Sequence, residues 1–452
     1  MPTAEWNVTF GLGYYNTAYQ IIQTNDGGYA VSGMYGPTGN PLYVAIVKYS
    51  ANGSLLWKQS YNIRFINYPN TGMLQTNDSG FAIVGNQYEN RILTLIKTDS
   101  IGKIQWKQTY GVSCIASGMT QTSDGGYLII GDTAYNGKTS PSVLIIKINS
   151  LGEIQWKEAY GTGAKYFRAV LEADNGCYVA AGNSFSISTQ QFSAWLVKVD
   201  NSGNVLWDRK ITSTIEPEYQ ICDNDIFGLT KTVDNGYALA GRINYGNFSG
   251  KGGITKGLLI KTDSAGTVLW NKTYDTSGQI QIYSVIQTSD NGYALAGSAF
   301  NDMLLIKTDE IGNEQWRQTF GGSQDADVAY SVVETVDDAF ALAGKTNPGN
   351  TATGGYYYVV KTTSASVFVD SGASSSVQTE EPNSHCELTV VAALLIIIII
   401  GILSFTLMRK HRTHPVAPWT LSSALNLFQN NLLRKRGVYG CYLHRSGVQS
   451  FG

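Results

Sequence analysis

One motif recurs along most of this chain, and its internal spacing restricts the fold more than any other feature. Its clearest copy reads QTSDNGYALAG over residues 287–297, then LLIKTDEIGNEQWRQTFGG over 304–322. Earlier copies of the first half are QTNDGGYAVSG (23–33), QTNDSGFAIVG (75–85), QTSDGGYLIIG (121–131) and KTVDNGYALAG (231–241). EADNGCYVAAG from Glu172 is a weaker copy, and ETVDDAFALAG from Glu334 is a seventh. The second half is as regular. Lys48, Lys97, Lys147, Lys198, Lys261 and Lys307 each precede a tryptophan by nine residues, at Trp57, Trp106, Trp156, Trp207, Trp270 and Trp316. A turn glycine lies between each pair: Gly53, Gly102, Gly152, Gly203, Gly266 or Gly312.

Each unit reads as four short strands. YSVIQT (283–288) alternates apolar and polar residues as a half-buried strand does. The Asp-Gly or Asn-Gly pair supplies the positive φ of a tight hairpin, so YALAG returns antiparallel. An apolar run such as LLIK follows, then an Asp-x-x-Gly turn, then the strand that carries the tryptophan. A lone meander leaves both faces exposed, whereas radial stacking buries each face against a neighbour. Tryptophan spacings of 46 to 63 residues match a propeller blade. Composition agrees: 49 glycines, 28 tyrosines and only 15% charged residues suit short strands and tight turns. The predicted fold is all-β, a propeller over residues 5–366.

The chain ends set the blade count. The seventh unit runs through YYYVVKTTSAS (356–366) with the expected Lys361, but Asp370 stands where the tryptophan belongs. The chain opens with EWNVTFG (5–11), which matches the end of a unit that has no beginning. The N-terminal strand therefore completes blade seven, with Trp6 as the seventh tryptophan, and closure removes exposed strand edges. Eight blades or an incomplete ring would follow instead if a further segment preceded Met1.

Beyond the repeats, residues 388–408 (LTVVAALLIIIIIGILSFTLM) form 21 uncharged residues, enough to span a hydrocarbon core of ~30 Å as a helix. RKHR (409–412) follows and Glu380, Glu381 and Glu387 precede, so the positive-inside rule places a basic tail (409–452) in the cytoplasm and the propeller outside a cell membrane crossed once. Residues 367–387, small and polar, read as a flexible stalk. MPTAEWNVTF has no apolar run, so this topology requires a leader before Met1; the alternative is tail-anchored insertion with the propeller inside. Up to Glu387 the chain has 25 basic and 34 acidic residues, a balance of −9, which argues against a nucleic-acid partner. The five cysteines lack metal or framework spacing, although a Cys177–Cys222 pair is conceivable in an oxidising compartment.

The Asp-x-x-Gly-x-x-x-Trp segment, as in DSIGKIQW (99–106), resembles the tryptophan-docking motif of quinoprotein dehydrogenases and of the outer-membrane assembly propeller that shares their blades. Across residues 5–363 the unit more closely resembles surface propellers with QTxDGGY repeats, common in archaeal and some bacterial membrane proteins. That resemblance implies a fold and no activity. The quinoprotein likeness implies a vicinal disulfide and a calcium site, but no two cysteines here are adjacent, so no catalysis and no cofactor are expected.

The remaining residues read as structural. The tryptophans are expected to pack between blades. The repeated lysine either pairs with a neighbouring blade, faces solvent, or joins a ring that attracts an anion. Asp26, Asp78, Asp124, Asp234 and Asp290 sit where Asp bonds its own turn backbone. Asp223 and Asp225 are a weak calcium candidate. The four histidines, His385, His411, His414 and His444, all lie beyond the repeats. Sequons at Asn7, Asn52, Asn77, Asn247 and Asn271 fit an external surface. Ligand contact is expected where blades differ. The insert at 242–257 and the extended link at 212–225 mark blades four and five, with Tyr219, Tyr245 and Phe248 as candidate contacts for a protein or glycan. The alternative is a coat or adhesion element without a discrete ligand.

Overall fold

The computed structural model describes residues 2–364, apart from 38–41, 65–71, 88–90, 134–142, 162–164, 187, 189–190, 213–220, 246–253, 276–278, 323–325 and 348–354. The stalk, the apolar segment 388–408 and the tail lie outside the described residues. Among those described, no helix is long and apolar enough to cross a membrane.

The chain opens with β1 (Ala4–Phe10). Blade one follows as β2 (Tyr15–Gln23), β3 (Tyr29–Gly36), β4 (Tyr43–Tyr49) and β5 (Leu55–Tyr61), and blade two begins with β6 (Met73–Gln75), β7 (Phe81–Asn86) and β8 (Ile92–Thr98). A single long strand, β9 (Ile104–Gln121), then serves as outer strand of blade two and inner strand of blade three, which continues with β10 (Tyr127–Thr133), β11 (Val143–Ile148) and β12 (Ile154–Tyr160). Blade four comprises β13 (Lys165–Glu172), β14 (Tyr178–Ser186), β15 (Gln191–Val199) and β16 (Val205–Ile211); blade five comprises β17 (Ile221–Lys231), β18 (Tyr237–Tyr245), β19 (Ile254–Thr262) and β20 (Val268–Tyr274). Blade six is β21 (Ile280–Gln287), β22 (Tyr293–Ala299), β23 (Asp302–Thr308) and β24 (Glu314–Phe320). Blade seven supplies β25 (Val328–Glu334), β26 (Phe340–Thr346) and β27 (Tyr356–Thr362), and its fourth strand is β1, antiparallel to β27 with Trp6 opposite Lys361. Seven blades and closure by the N-terminal strand are thus observed.

The repeated residues hold the blades in three ways. Each tryptophan reaches the next blade: Trp57 meets the Phe81 ring edge-on at 5.7 Å, Trp270 meets Tyr293 at 5.9 Å, and Trp6 closes the ring against Tyr29 at 5.5 Å. The indole also covers the next blade's turn glycine, where a Cβ on Gly312 would lie 2.7 Å from Trp270. Between blades the cores are apolar, as in the cluster of Leu295, Leu304, Ile306 and Ile282 with Leu259 of blade five.

Six of the seven repeated lysines, all but Lys198, are buried and pair within their own blade, which corrects the expectation of a neighbouring blade, solvent or an anion-binding ring. Lys307 Nζ bonds both oxygens of Asp290 at 2.9 and 2.8 Å and the Thr308 carbonyl at 2.8 Å. Equivalent ion pairs join Lys48 to Asp26, Lys97 to Asp78, Lys147 to Asp124, Lys261 to Asp234 and Lys361 to Asp337. The same Asp caps its turn as expected: Asp26 Oδ1 accepts from Thr24 Oγ1 at 2.5 Å and from the Gly28 amide at 3.0 Å. The glycine after the turn lies close to both groups, a Cβ at Gly292 standing 2.1 Å from the Thr308 carbonyl and 2.6 Å from Lys307 Nζ, yet blade seven carries Ala339 there and keeps its Lys361–Asp337 pair.

Blade four departs from the pattern: Asn175 stands where the other blades carry the pairing aspartate and Cys177 where most carry glycine, and Asp174, one position earlier, pairs with Lys231 of blade five. Lys231 occupies the position where other blades carry Gln or Glu, side chains that reach back in the same way: Glu334 Oε2 accepts from Ser289 N at 2.8 Å and Gln287 Oε1 from Val233 N at 2.8 Å. Cys114 and Cys177 are free thiols, so the Cys177–Cys222 bridge considered from sequence is not formed.

Candidate functional site

The seven inner strands surround a central channel, and a β-bulge in most of them decides which side chains enter it. The register slips at Tyr19 in β2, Ser117 in β9, Arg168 in β13, Phe227 in β17, Tyr283 in β21 and Tyr330 in β25. Each lies four residues before the Gln, Glu or Lys that ends its strand; in blade two that position is Thr71, outside the described residues. A bulge leaves one residue unpaired and re-aims its side chain. The last glycine of each repeat makes room for it. A Cβ on Gly344 would lie 1.7 Å from the Val328 carbonyl, and on Gly182, Gly241 or Gly297 1.8 Å from the matching oxygen.

The bulged rings form a continuous arc. Tyr19 lies 5.4 Å from Tyr330, Tyr330 lies 5.1 Å from Tyr283, and Tyr283 lies 5.2 Å from Phe227, centroid to centroid. The arc ends under Arg242, whose guanidinium stands 5.6 Å over Phe227. Arg242 is tightly held: its Nε and Nη2 donate to Asp225 Oδ2 at 2.9 and 2.7 Å, and its Nη1 donates to Gln281 Oε1 at 2.9 Å. Tyr283 Oη donates to the same Gln281 oxygen at 2.8 Å. Asp225 is therefore engaged by a guanidinium, which removes it from the calcium candidates, and the described residues contain no cluster of three metal-ligating side chains.

Blade four contributes the other half of the rim. Arg168, 5% exposed, stacks 5.0 Å over Tyr166 and faces Asp132 Oδ2 at 3.5 Å. Burial pushes the Asp132 carboxyl up to about 6, against the opposing pull of Arg168. Burial likewise raises the Tyr19 phenol to about 12 and lifts Tyr283 and Tyr330, so all three keep their protons at neutral pH.

Two connected features result. A cavity of about 170 Å³ in the channel is lined by Tyr19, Arg168, Tyr283 and Tyr330 together with Gly118 and Gly228. A pocket of about 410 Å³ opens at the channel mouth between Tyr166, Arg168, Phe192, Phe227, Arg242 and Tyr330. The mouth lies at the end of the blades opposite the Thr-x-Asp turns. On the turn face, depressions of about 820 and 510 Å³ are larger, but Gln23, Gln75, Gln287 and Glu334 in their lining are spent on bonds between blades.

The sequence-derived contacts fall differently. Tyr219 and Phe248 lie outside the described residues. Tyr245 is 2% exposed and packs in the core between blades four and five, because β18 extends to it and pairs it with Ile254. It is a core residue and not a surface contact. Blades four and five do border the pocket, through Arg168, Phe227 and Arg242. Sequence reasoning missed the bulge residues; comparing the repeats at the position four before the strand-ending Gln would have shown Tyr, Ser, Arg, Phe, Tyr and Tyr where other positions repeat.

No protein-family profile matches the chain, and no curated protein sequence matches it. Among solved structures, a streptogramin B lyase superimposes with a TM-score of 0.50 at 10% identity, covering 79% of this chain and 98% of that one. A component of the COPII outer coat vertex on membranes gives a TM-score of 0.50 at 10% identity, covering 81% and 92%. A lyase and a coat protein share this architecture, so the likeness shows the propeller fold alone.

Proposed function

We propose that this protein is a recognition propeller of the surface-repeat type, held at the outer face of a membrane by residues 388–408, and that it binds a glycan without catalysis. The observation that carries this reading is the arc of bulge-directed rings meeting guanidinium, carboxylate and amide groups in one pocket at the channel mouth. Sugars offer an apolar face to an aromatic ring and hydroxyls to paired polar groups, and the pocket combines both. Its volume suits a few sugar rings, within the range of ligand pockets, whereas a stable protein partner covers about 800 Å² on each side.

The last described residue, Ser364, donates its hydroxyl to the Asp337 carbonyl at 2.6 Å, so the chain departs from the turn face and the pocket opens on the other. The test is a glycan array probed with the native protein and with Tyr283→Ala and Tyr330→Ala. Loss of one stacked ring is expected to weaken binding about tenfold, the equivalent of 1.4 kcal/mol. Unchanged binding by folded variants would overturn the reading.

A further inference from the structure

Asparagine follows the last glycine of the repeat in two blades, as Asn86 in blade two and Asn183 in blade four, and the two take the same structural role. Asn86 Oδ1 accepts from the Ala116 amide at 3.1 Å and Asn183 Oδ1 from the Ile226 amide at 2.8 Å, so each ties its blade to the inner strand of the next. A backbone N–H can meet only the oxygen, which fixes the direction of each carboxamide. The nitrogens differ. Asn86 Nδ2 donates to the carbonyls of Cys114 and of Arg91, the latter at 3.0 Å. Asn183 Nδ2 has no hydrogen-bond partner among the described residues, although Asn183 is only 2% exposed and lines the mouth pocket. A buried donor without an acceptor is unfavourable, and its two N–H groups are left for what enters the pocket. The same pocket holds an unspent acceptor. Asp225 Oδ2 receives both of its Arg242 bonds, and Asp225 Oδ1 has no hydrogen-bond partner among the described residues.

Resting on the glycan reading above, we propose that the ligand carries an N-acetylated amino sugar and that the pocket reads its acetamido group. The acetamido carbonyl accepts from Asn183 Nδ2, its N–H donates to Asp225 Oδ1, and its methyl packs on the aromatic lining, where Phe192 and Phe227 supply apolar surface. A carboxamide nitrogen offers donors and no acceptor, so it gains most from a carbonyl, which only accepts. A sugar hydroxyl fills either role and distinguishes the two groups less. With a hydroxyl in place of the acetamido group, the methyl contact is lost and one of the two polar groups stays unmatched. A site built to bond one substituent rejects an analogue that lacks it, because its own buried groups are then left unpaired.

The experiment compares β-1,4-linked tetramers of N-acetylglucosamine and of glucose, which differ only in the substituent at C2, by calorimetric titration of the native protein. The acetylated tetramer is expected to bind at least about tenfold more tightly. Asn183→Asp keeps an oxygen for the Ile226 amide and replaces the donor nitrogen, so it is expected to remove most of that difference, whereas Tyr283→Ala is expected to weaken both tetramers alike. Equal binding of the two by the native protein, or preference for glucose, would overturn the acetamido inference and leave the glycan reading standing. A folded Asn183→Asp protein that keeps the full preference would also overturn it. Binding of neither tetramer would overturn it as well, and a blank glycan array would then remove the glycan reading with it. The ratio measured on the native protein needs no variant, so a folding defect in Asn183→Asp leaves the test intact.

Discussion

Replacing the last glycine of each repeat by alanine provides a graded test of how the bulges are built. None of these glycines needs a positive φ, so the cost is steric alone. At Gly344 the new methyl would lie 1.7 Å from the Val328 carbonyl, and at Gly297 1.8 Å from that of Gln281. Backbone faces the methyl, so no rotamer relieves the overlap, and the strands must part by more than an ångström. At Gly85, in blade two, the nearest atom is the Arg64 carbonyl at 2.9 Å, which a small shift accommodates. Overpacking in a filled core typically costs 1–3 kcal/mol and occasionally more, so Gly344→Ala and Gly297→Ala are expected to cost about 3 kcal/mol or above and Gly85→Ala about 1 kcal/mol. Urea unfolding reads this as a lowered midpoint at constant slope. Gly297→Ala also straightens the strand that carries Tyr283, so ligand binding falls with it, whereas Gly85→Ala leaves binding in place. Equal destabilisation at Gly85, Gly297 and Gly344 would refute the steric account.

The buried lysine and its half-exposed aspartate predict an asymmetry. Lys307→Met removes a buried charge and leaves Asp290, whose side chain is 54% exposed, to water, so the cost stays within about 1 kcal/mol; Asp290→Ala strands the ammonium and costs more. Acid sensitivity follows from the same pairs. Partial burial would raise Asp26, Asp78, Asp124 and Asp234, but hydrogen bonds from the paired lysine, a threonine and a glycine amide outweigh it and bring each to about 2. A depressed carboxyl stabilises the fold above its unfolded value and loses that contribution as pH falls through the folded one. Stability is therefore expected to drop between about pH 4 and pH 2, and less steeply when these residues are changed together to Asn; an unaltered acid limb in thermal melts would contradict the assignment.

Most of the architecture was legible because a propeller repeats its solutions. The nine-residue step from Lys to Trp marks two adjacent strands, and the orphaned EWNVTFG matches the last strand that the seventh unit lacks. The partner of the lysine was not legible, since the aspartate it reaches reads equally well as a residue that only caps its own turn. The bulges were hidden for a related reason. An extra residue within an alternating strand changes which face each side chain takes without changing composition, so Arg168 and Tyr330 looked like ordinary inner-strand positions. Tyr245 misled because an insert suggests exposure, yet β18 and β19 extend into the insert and bury it.

The face that binds is the central claim, and site-specific photo-cross-linking on intact cells tests it directly. A benzophenone amino acid in place of Tyr330 lies at the channel mouth; the same group in place of Val336, 87% exposed, lies on the turn face. The account predicts a glycan adduct from position 330 and none from 336. Adducts from 336 alone would place recognition on the opposite end of the propeller and contradict it.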